Sequence, residues 1–169
     1  LLDAKLVVKN KNGGIYDMFR GRVMFPIIDM RGNVIAFGGR VIGEGQPKYL
    51  NSPETPVFNK SRNLFAMNIA KNSKGGRFIL AEGYMDVISL HQAGFNTAVA
   101  SLGTSLTEQQ ARLISRYASE AVIAYDQDTA GRNAAERAIS LLEITGIKVK
   151  LLDMPGAKDP DEFIKKYGA

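Results

Sequence analysis

Residues 122–138 read VIAYDQDTAGRNAAERA, and this stretch decides the fold predicted for the C-terminal half of the chain. An apolar run typical of a buried strand leads through Asp126 and Asp128 into a pattern typical of a helix. Nothing adjacent in the sequence neutralises these two carboxylates. In an extended segment residues i and i+2 point the same way, so both can offer oxygens to one hard cation. The stretch therefore predicts a strand followed by a helix, with a cation site at the turn between them.

The whole C-terminal half follows the same plan. Apolar runs at 77–81, 97–100, 121–125 and 148–152 alternate with helical patterns, the last of which begins near Asp161. One helix is predicted to begin at Thr107, which forms a capping box with Gln110. The helix after the aspartates is predicted to bury one face, made of Ala134, Ala138, Leu141 and Leu142. We expect an α/β fold with a parallel sheet covered by helices on both faces, and a functional site at the carboxyl edge of its strands.

Carboxylates follow three of the predicted strands. Because the carboxyl ends of parallel strands meet at one edge of the sheet, we expect these side chains to converge. The six candidates are Glu82, Asp86, Asp126, Asp128, Asp159 and Asp161. Each of them taken singly could instead cap a helix or favour its N-terminal dipole. Convergence from three loops favours a metal site over capping alone.

Composition narrows the kind of metal site. The chain has no cysteine and one histidine, so a site must be built from carboxylates, which favours Mg²⁺ or Mn²⁺ and argues against zinc. His91 is expected to be a packed or surface residue rather than a ligand. With 169 residues, 45% of them hydrophobic, the chain can form one domain or two small ones. No apolar run spans a bilayer and no signal peptide opens the chain, so we expect a cytoplasmic protein without membrane contact.

Charge divides the sequence into two predicted domains, 1–74 and 75–169. Residues 1–74 carry 12 Lys/Arg against 5 Asp/Glu, a balance of +7, whereas residues 75–169 carry 10 against 12, a balance of −2. The linker signal KNSKGGR at 71–77 lies at this boundary. In the first half, strands are predicted at 24–29 and 33–38 across the turn MRGN. The basic half suggests a surface for a polyanion, although ordinary solvated side chains are the alternative for any single residue.

Several motifs resemble a known family. The motifs EGYMDV, ASLGTSLT, YDQDTAGRNAA and KDPDEF are similar to the Toprim domain that primases, topoisomerases and certain nucleases share. RVMFPIIDMRGNVIAFGGR and PKYLNSPET resemble the basic α/β subdomain of bacterial DnaG-type primases. The resemblance covers essentially the whole chain, which also begins without methionine at LLDAKLVV. We therefore expect an excised piece, the central part of the primase RNA polymerase core, without the family's zinc-binding module and helicase-binding region.

The resemblance implies an activity and its residues. It implies synthesis of short RNA primers on a single-stranded DNA template from ribonucleoside triphosphates, with two or more Mg²⁺ or Mn²⁺ ions. Glu82, Asp126 and Asp128 would be catalytic, and Asp86, Asp159 and Asp161 outer or second-metal ligands. The nucleotide- and DNA-binding candidates are Arg20, Arg22, Arg40, Lys48, Asn51 and Lys60. A replicative helicase would be a partner of the full-length protein, through a region outside this chain.

Two further classes of protein remain open at this stage. A Toprim chain can be a DNA-breaking enzyme, which needs a nucleophilic tyrosine, and none of the six tyrosines is marked for that role. It can also be a binding module in which the fold is only a scaffold. The six acids argue against a scaffold without catalysis, and PKYLNSPET argues against a topoisomerase.

Overall fold

The computed structural model describes residues 1–73 and 75–169. The chain divides into two compact units, Leu1–Asn59 and Lys60–Ala169. The predicted boundary between 74 and 75 stays a prediction, because Lys74 in the linker KNSKGGR lies outside the described residues. Each unit has its own secondary structure.

The first unit is built from antiparallel strands. Strands β1 (Val7–Lys9) and β2 (Ile15–Asp17) form a hairpin, and β3 (Arg22–Ile28), β4 (Val34–Val41) and β5 (Tyr49–Asn51) form a sheet in that order. The strand pair predicted across MRGN is present as β3 and β4. Asp29 closes this turn, because its Oδ1 accepts hydrogen bonds from the amides of Arg31 and Asn33 at 2.8 and 2.9 Å.

The second unit has the predicted α/β architecture, and the parallel sheet is confirmed. Its four strands pair in the order β7-β6-β8-β9, and every pair is parallel. Its elements in chain order are α1 (Met67–Ala70), β6 (Arg77–Ala81), α2 (Tyr84–Gln92), β7 (Ala98–Ala100), α3 (Glu108–Ser115), β8 (Glu120–Ile123), α4 (Thr129–Ile144), β9 (Lys148–Leu151) and α5 (Pro160–Tyr167).

Helices cover the sheet and bury its apolar side chains. Helix α2 packs against α5, while α4 packs against α3, β8 and β9. The central strands supply fully buried side chains, among them Leu80 and Ile123, which are paired in register. Because both central strands are covered, they read as continuous apolar runs, which is why the sequence predicts them well.

The buried face of α4 differs from the predicted one. Ala138 and Leu142 are buried as expected, but Ala134 and Leu141 are only half-buried. Ala135 and Gly131 complete the buried face instead. Compared with the prediction, the buried face of α4 is rotated toward Gly131, because Gly131 lies against Asp126 and Glu82. No helix in the described part of the chain combines the length and apolar character needed to cross a bilayer.

Candidate active site

Glu82 and Asp126 follow the two central strands and are in direct contact. Glu82 comes directly after β6, and Asp126 lies three residues beyond the end of β8. The backbone amide of Asp126 donates a hydrogen bond to Oε1 of Glu82 at 3.1 Å. The structure therefore brings together the two acids that the sequence placed at the ends of separate strands, and both are half-buried.

Gly131 makes this contact possible. A Cβ at this position would lie 2.1 Å from the carbonyl oxygen of Asp126 and 2.7 Å from Oε1 of Glu82. Contacts this short are impossible, so a residue with a side chain would force the first turn of α4 away from the strand ends. In the fold, the absent side chain of Gly131 leaves room for the carbonyl of Asp126 and the carboxylate of Glu82.

Asp86 is the most buried of the six acids, with 9% of its surface exposed. Its Oδ2 accepts a hydrogen bond from the amide of Gly83 at 3.2 Å, and its carboxylate also accepts one from the backbone amide of Asp161. Asp86 thus joins the first turns of α2 and α5. Burial raises the pKa of Asp86, and the negative charges of Asp159 and Asp126 act in the same direction, so that the pKa lies at about 7.

Asp128 and Asp159 are N-caps. Oδ1 of Asp128 accepts from the amide of Gly131 at 2.8 Å at the start of α4, and Oδ1 of Asp159 accepts from the amide of Glu162 at 2.7 Å at the start of α5. The capping interpretation and the metal interpretation of these residues are compatible, because a carboxylate that uses one oxygen for a cap keeps the other.

Asp161 has a different environment. Its Oδ1 accepts a hydrogen bond from the hydroxyl of Ser89 on α2, and its Oδ2 accepts from Nζ of Lys165 at 2.6 Å. Both oxygens of Asp161 therefore have partners within the protein. The hydrogen bond from Ser89 links α2 to α5. Ser89 was missed by sequence reasoning. Its position three residues after Asp86 on one helix face is the signal that could have identified it.

The electrostatics of the edge show that the carboxylates act on one another. Burial raises the pKa of Glu82, and the charge of Asp126 adds to the effect. Burial likewise raises the pKa of Asp126, with added contributions from Asp159 and Asp128. Negative charge is therefore concentrated at this edge beyond what nearby cations compensate, which is the setting that a divalent cation stabilises.

The six carboxylates suit a hard cation, although their side chains do not converge on one metal-binding position. Among the residues that the structure describes, no group of three or more His, Asp or Glu side chains is close enough to hold a metal ion. Oxygen ligands and mutual charge repulsion fit Mg²⁺ or Mn²⁺, and the helix caps would have to share their carboxylates with the ion.

A cleft of about 330 Å³ opens beside Asp126, between α4 and β9. Its lining includes Tyr125, Gly131 and Arg132. Tyr125 is 5% exposed, and burial raises the pKa of its hydroxyl, with a smaller contribution from the charge of Glu82. Burial also raises the pKa of Tyr84, which follows Glu82 by two residues. Tyrosine hydroxyls with raised pKa values are poor nucleophiles.

On the first unit, basic side chains surround an exposed tyrosine. Arg40 on β4 is paired across the sheet with Tyr49 on β5, and its guanidinium lies 5.9 Å from the centre of the tyrosine ring. Nζ of Lys48 lies 6.0 Å from the same ring, and 39% of the surface of Tyr49 is exposed. We name Arg40, Lys48 and Tyr49 the aromatic–basic patch. It combines a stacking surface with positive charge, the two features of single-strand binding sites.

The remaining basic candidates of the first unit differ in their contacts. Nη1 of Arg22 donates to the carbonyl oxygens of Gly39 at 3.3 Å and Lys48 at 3.5 Å, so its charge is partly engaged with the backbone. The guanidinium of Arg20 lies 4.7 Å from the ring of Tyr16. Asn51 is paired with Gly38, next to the patch.

Lys60 belongs to the second unit, and Phe37 belongs to the packing of the first. Lys60 is half-buried and begins a segment that contacts α3. Phe37 packs edge-on against Phe19 with ring centres 6.4 Å apart. Nε2 of His91 lies 2.9 Å from the carbonyl oxygen of Ala98.

Two family models match the chain side by side. Residues 1–71 match the DNA primase catalytic core, N-terminal domain, and residues 79–164 match the Toprim-like family. A DNA primase of Clostridium acetobutylicum is 54% identical over 169 residues, which cover 99% of this chain and 28% of that protein. The chain therefore spans less than a third of the length of this relative.

Solved structures agree with these matches. The Aquifex aeolicus primase, solved with its zinc-binding and RNA polymerase domains, has a TM-score of 0.92 at 45% identity over 99% of this chain and 42% of that one. A DnaG primase catalytic domain bound to single-stranded DNA has a TM-score of 0.92 at 46% identity, over all of this chain and 56% of that one. The chain thus belongs to the Toprim-like family, as the central part of a DnaG-type DNA primase catalytic core.

Proposed function

We propose that the chain carries the catalytic centre for RNA primer synthesis on single-stranded DNA. The observation that supports this best is the contact between Glu82 and Asp126 at the end of the central strands, within a set of carboxylates that raise one another's pKa. Together with membership of the primase family, this arrangement favours nucleotidyl transfer over the other Toprim activities. The two predicted domains then have different tasks, template and nucleotide binding by 1–74 and catalysis by 75–169.

The acidic edge would hold the divalent cations. Glu82, Asp126 and Asp128 are the proposed catalytic ligands, with Asp86, Asp159 and Asp161 as outer or second-metal ligands. When bound, Mg²⁺ or Mn²⁺ would favour the deprotonated 3′-hydroxyl of a ribonucleotide and neutralise the departing pyrophosphate. The protein itself fixes the spacing of Glu82 and Asp126, because Gly131 lets α4 begin against both of them.

Asp86 has a distinct part in the proposal. Its carboxyl holds a proton on part of the molecules near neutral pH, since its pKa is about 7 without a cation. A cation at the edge would favour the charged form, so that the proton leaves as the cation binds. Asp86 is buried between α2 and α5, so a change in its charge when a cation binds would alter how these two helices pack.

The aromatic–basic patch and its neighbours would bind the template and the nucleotide triphosphates. A base can stack on the exposed ring of Tyr49, while Arg40 and Lys48 neutralise phosphates. Arg20, Arg22, Asn51 and Lys60 complete the proposed binding residues. The solved relative bound to single-stranded DNA supports this choice of ligand.

One experiment separates primer synthesis from the alternatives. The chain is incubated with single-stranded template, labelled ribonucleotides and Mn²⁺, and in parallel with supercoiled DNA. We expect labelled oligoribonucleotides and intact supercoiled DNA. Nicked or relaxed DNA would support a strand-breaking enzyme, which the raised pKa values of Tyr84 and Tyr125 disfavour. DNA binding without either product would support a binding module.

A further inference from the structure

The first turn of α3 does more than begin a helix. Thr107 and Gln110 form the capping box that the sequence predicts, with Gln110 N bonded to Thr107 Oγ1 at 3.2 Å and Thr107 N bonded to Gln110 Oε1 at 2.9 Å. Yet Gln110 is fully buried, with none of its surface exposed. A glutamine that served only a cap would gain nothing from burial, since an amide side chain has to satisfy all of its polar atoms.

Gln110 satisfies its remaining donors on a distant segment of chain. Nε2 of Gln110 donates to the carbonyl oxygens of Lys60 at 2.9 Å and Asn63 at 2.8 Å. Oγ1 of Thr107 donates to the carbonyl oxygen of Ser61 at 2.6 Å. Three of the four carbonyls of the segment 60–63 are therefore fixed by two side chains of the capping box.

Gln109 adds contacts to the same segment from the neighbouring position. Its Oε1 accepts hydrogen bonds from the hydroxyl of Ser61 at 3.1 Å and from Nε of Arg62 at 3.3 Å. Each of the four residues 60–63 thus has at least one hydrogen bond to the first turn of α3 or its cap. The segment is irregular in backbone, so these side chains replace the hydrogen bonds that a helix or strand would provide.

We infer that Gln110 is a positioning residue for Lys60. The inference rests on the proposed function, in which Lys60 contacts nucleic acid. Gln110 holds the main chain of Lys60 from inside the protein. This fixes the starting position of the lysine side chain that would reach a phosphate. A buried amide with two donors on two carbonyls allows less movement than a surface contact does, because breaking either of these buried hydrogen bonds is costly.

The test measures binding of a fluorescent single-stranded oligothymidylate to the chain by anisotropy between 50 and 300 mM KCl. Lys60→Ala should lower the slope of log K against log salt by about 0.7, the value for one phosphate contact on a single strand. That change corresponds to binding weaker by roughly eightfold at 50 mM salt. Gln110→Met keeps the length of the side chain but removes both donors and the acceptor for the amide of Thr107, and we expect most of the same loss of slope.

The double variant provides the decisive comparison. If Gln110 acts through Lys60, Gln110→Met should have no further effect in the Lys60→Ala background. A general loss of structure would weaken binding equally in both backgrounds, and additive effects would therefore overturn the inference. Gln92→Met, an identical change at an exposed position of α2, is the matched control and should leave binding unchanged.

Two other outcomes are informative. A normal slope in Gln110→Met together with a reduced slope in Lys60→Ala would overturn the positioning role while leaving the proposed function intact. A normal slope in Lys60→Ala would overturn both the role of Lys60 and this inference, whereas the aromatic–basic patch would still be tested by its own variants. Should Gln110→Met fail to fold, Thr107→Val carries the test, because it removes the donor to Ser61 and the cap acceptor for the amide of Gln110 but leaves both donors of the Gln110 side chain in place, and it should give a smaller loss of slope in the same direction.

Discussion

Oε1 of Glu82 accepts a hydrogen bond from the backbone amide of Asp126, and the space beside this bond is closed by Gly131. The carboxylate of Glu82 is thereby fixed from two sides, by an amide that attracts it and by a helix turn that has no room for a side chain. Packing thus sets the position of the Glu82 carboxylate next to Asp126. The charge and the packing of this site can be changed by different substitutions.

Removing the charges should abolish primer synthesis without unfolding the chain. Asp126→Asn and Glu82→Gln keep the shape of the side chains but lose the negative charge that would hold the cations, so we expect a loss of at least about a hundredfold in rate. The circular dichroism spectrum should stay the same. Glu143→Gln, the same change at an exposed position of α4, is the control. Retention of more than a tenth of the parent rate in both variants would rule out their catalytic role.

Filling the space at Gly131 should disturb the site through packing alone. Gly131→Ala places a Cβ against the carbonyl of Asp126 and the carboxylate of Glu82, so α4 has to shift and both stability and Mn²⁺ affinity should fall. Gly75→Ala is the matched control, since a Cβ there meets nothing within 4 Å. Thermal unfolding with and without Mn²⁺ measures both effects. Equal behaviour of the two variants would contradict the tight contact.

The buried Asp86 should make metal-free stability depend on pH. A carboxyl whose pKa is raised from 3.8 to about 7 by folding stabilises the protein below pH 4, and this contribution is lost as the pH rises through 7. In EDTA, the melting temperature should therefore fall between pH 5 and pH 8 more steeply in the parent than in Asp86→Asn. His91 is present in both proteins and does not affect the comparison. Parallel pH curves would refute the assignment of the pKa to Asp86.

Metal binding should stabilise the folded chain through Asp128. At ten times Kd, a cation that binds only the folded state adds about 1.4 kcal/mol to the free energy of unfolding. Asp128→Asn retains a good N-cap for α4, so its metal-free stability should change little, whereas its metal-induced gain should be smaller. The measurement is thermal unfolding across a Mn²⁺ titration at constant ionic strength. An equal gain in both proteins would show that Asp128 is not a ligand.

Lys48→Ala and Arg22→Ala in the first unit should affect different properties, DNA binding in the first case and stability in the second. Lys48→Ala removes a side chain of the aromatic–basic patch and should lower the salt slope of single-strand binding by about 0.7. Arg22→Ala removes a guanidinium that donates to two backbone carbonyls of the sheet, so its main effect should be a lower melting temperature. Anisotropy and thermal unfolding of both variants check the distinction. A normal salt slope in Lys48→Ala would remove Lys48 from the proposed binding residues.

The strands and the acidic edge could be predicted because they depend on short stretches of sequence. Apolar runs identify β6 and β8, and the acids follow within three residues, so the parallel order brings Glu82 and Asp126 together. The capping box at Thr107 and Gln110 is equally local.

The remaining features depend on contacts between residues far apart in sequence. The rotation of α4 follows from the contact of Gly131 with Glu82, 49 positions earlier in the chain. The second set of hydrogen bonds of Gln110 reaches back to Lys60 and Asn63. The pairing of Asp161 with Ser89 likewise links α5 to α2. No local pattern carries this information, because each contact is decided by how the elements pack.

The strand order β7-β6-β8-β9 has a topological consequence for Glu82 and Asp126. From β6 the chain crosses by α2 to β7 on one side, and from β8 it crosses by α4 to β9 on the other. The two connections diverge, so β6 and β8 flank the switch point of the sheet, which is where open α/β sheets bind their ligands. Glu82 follows β6 and Asp126 follows β8, on either side of this switch point. The distance between their main chains is therefore set by the spacing of neighbouring strands, about 4.8 Å, rather than by flexible loops.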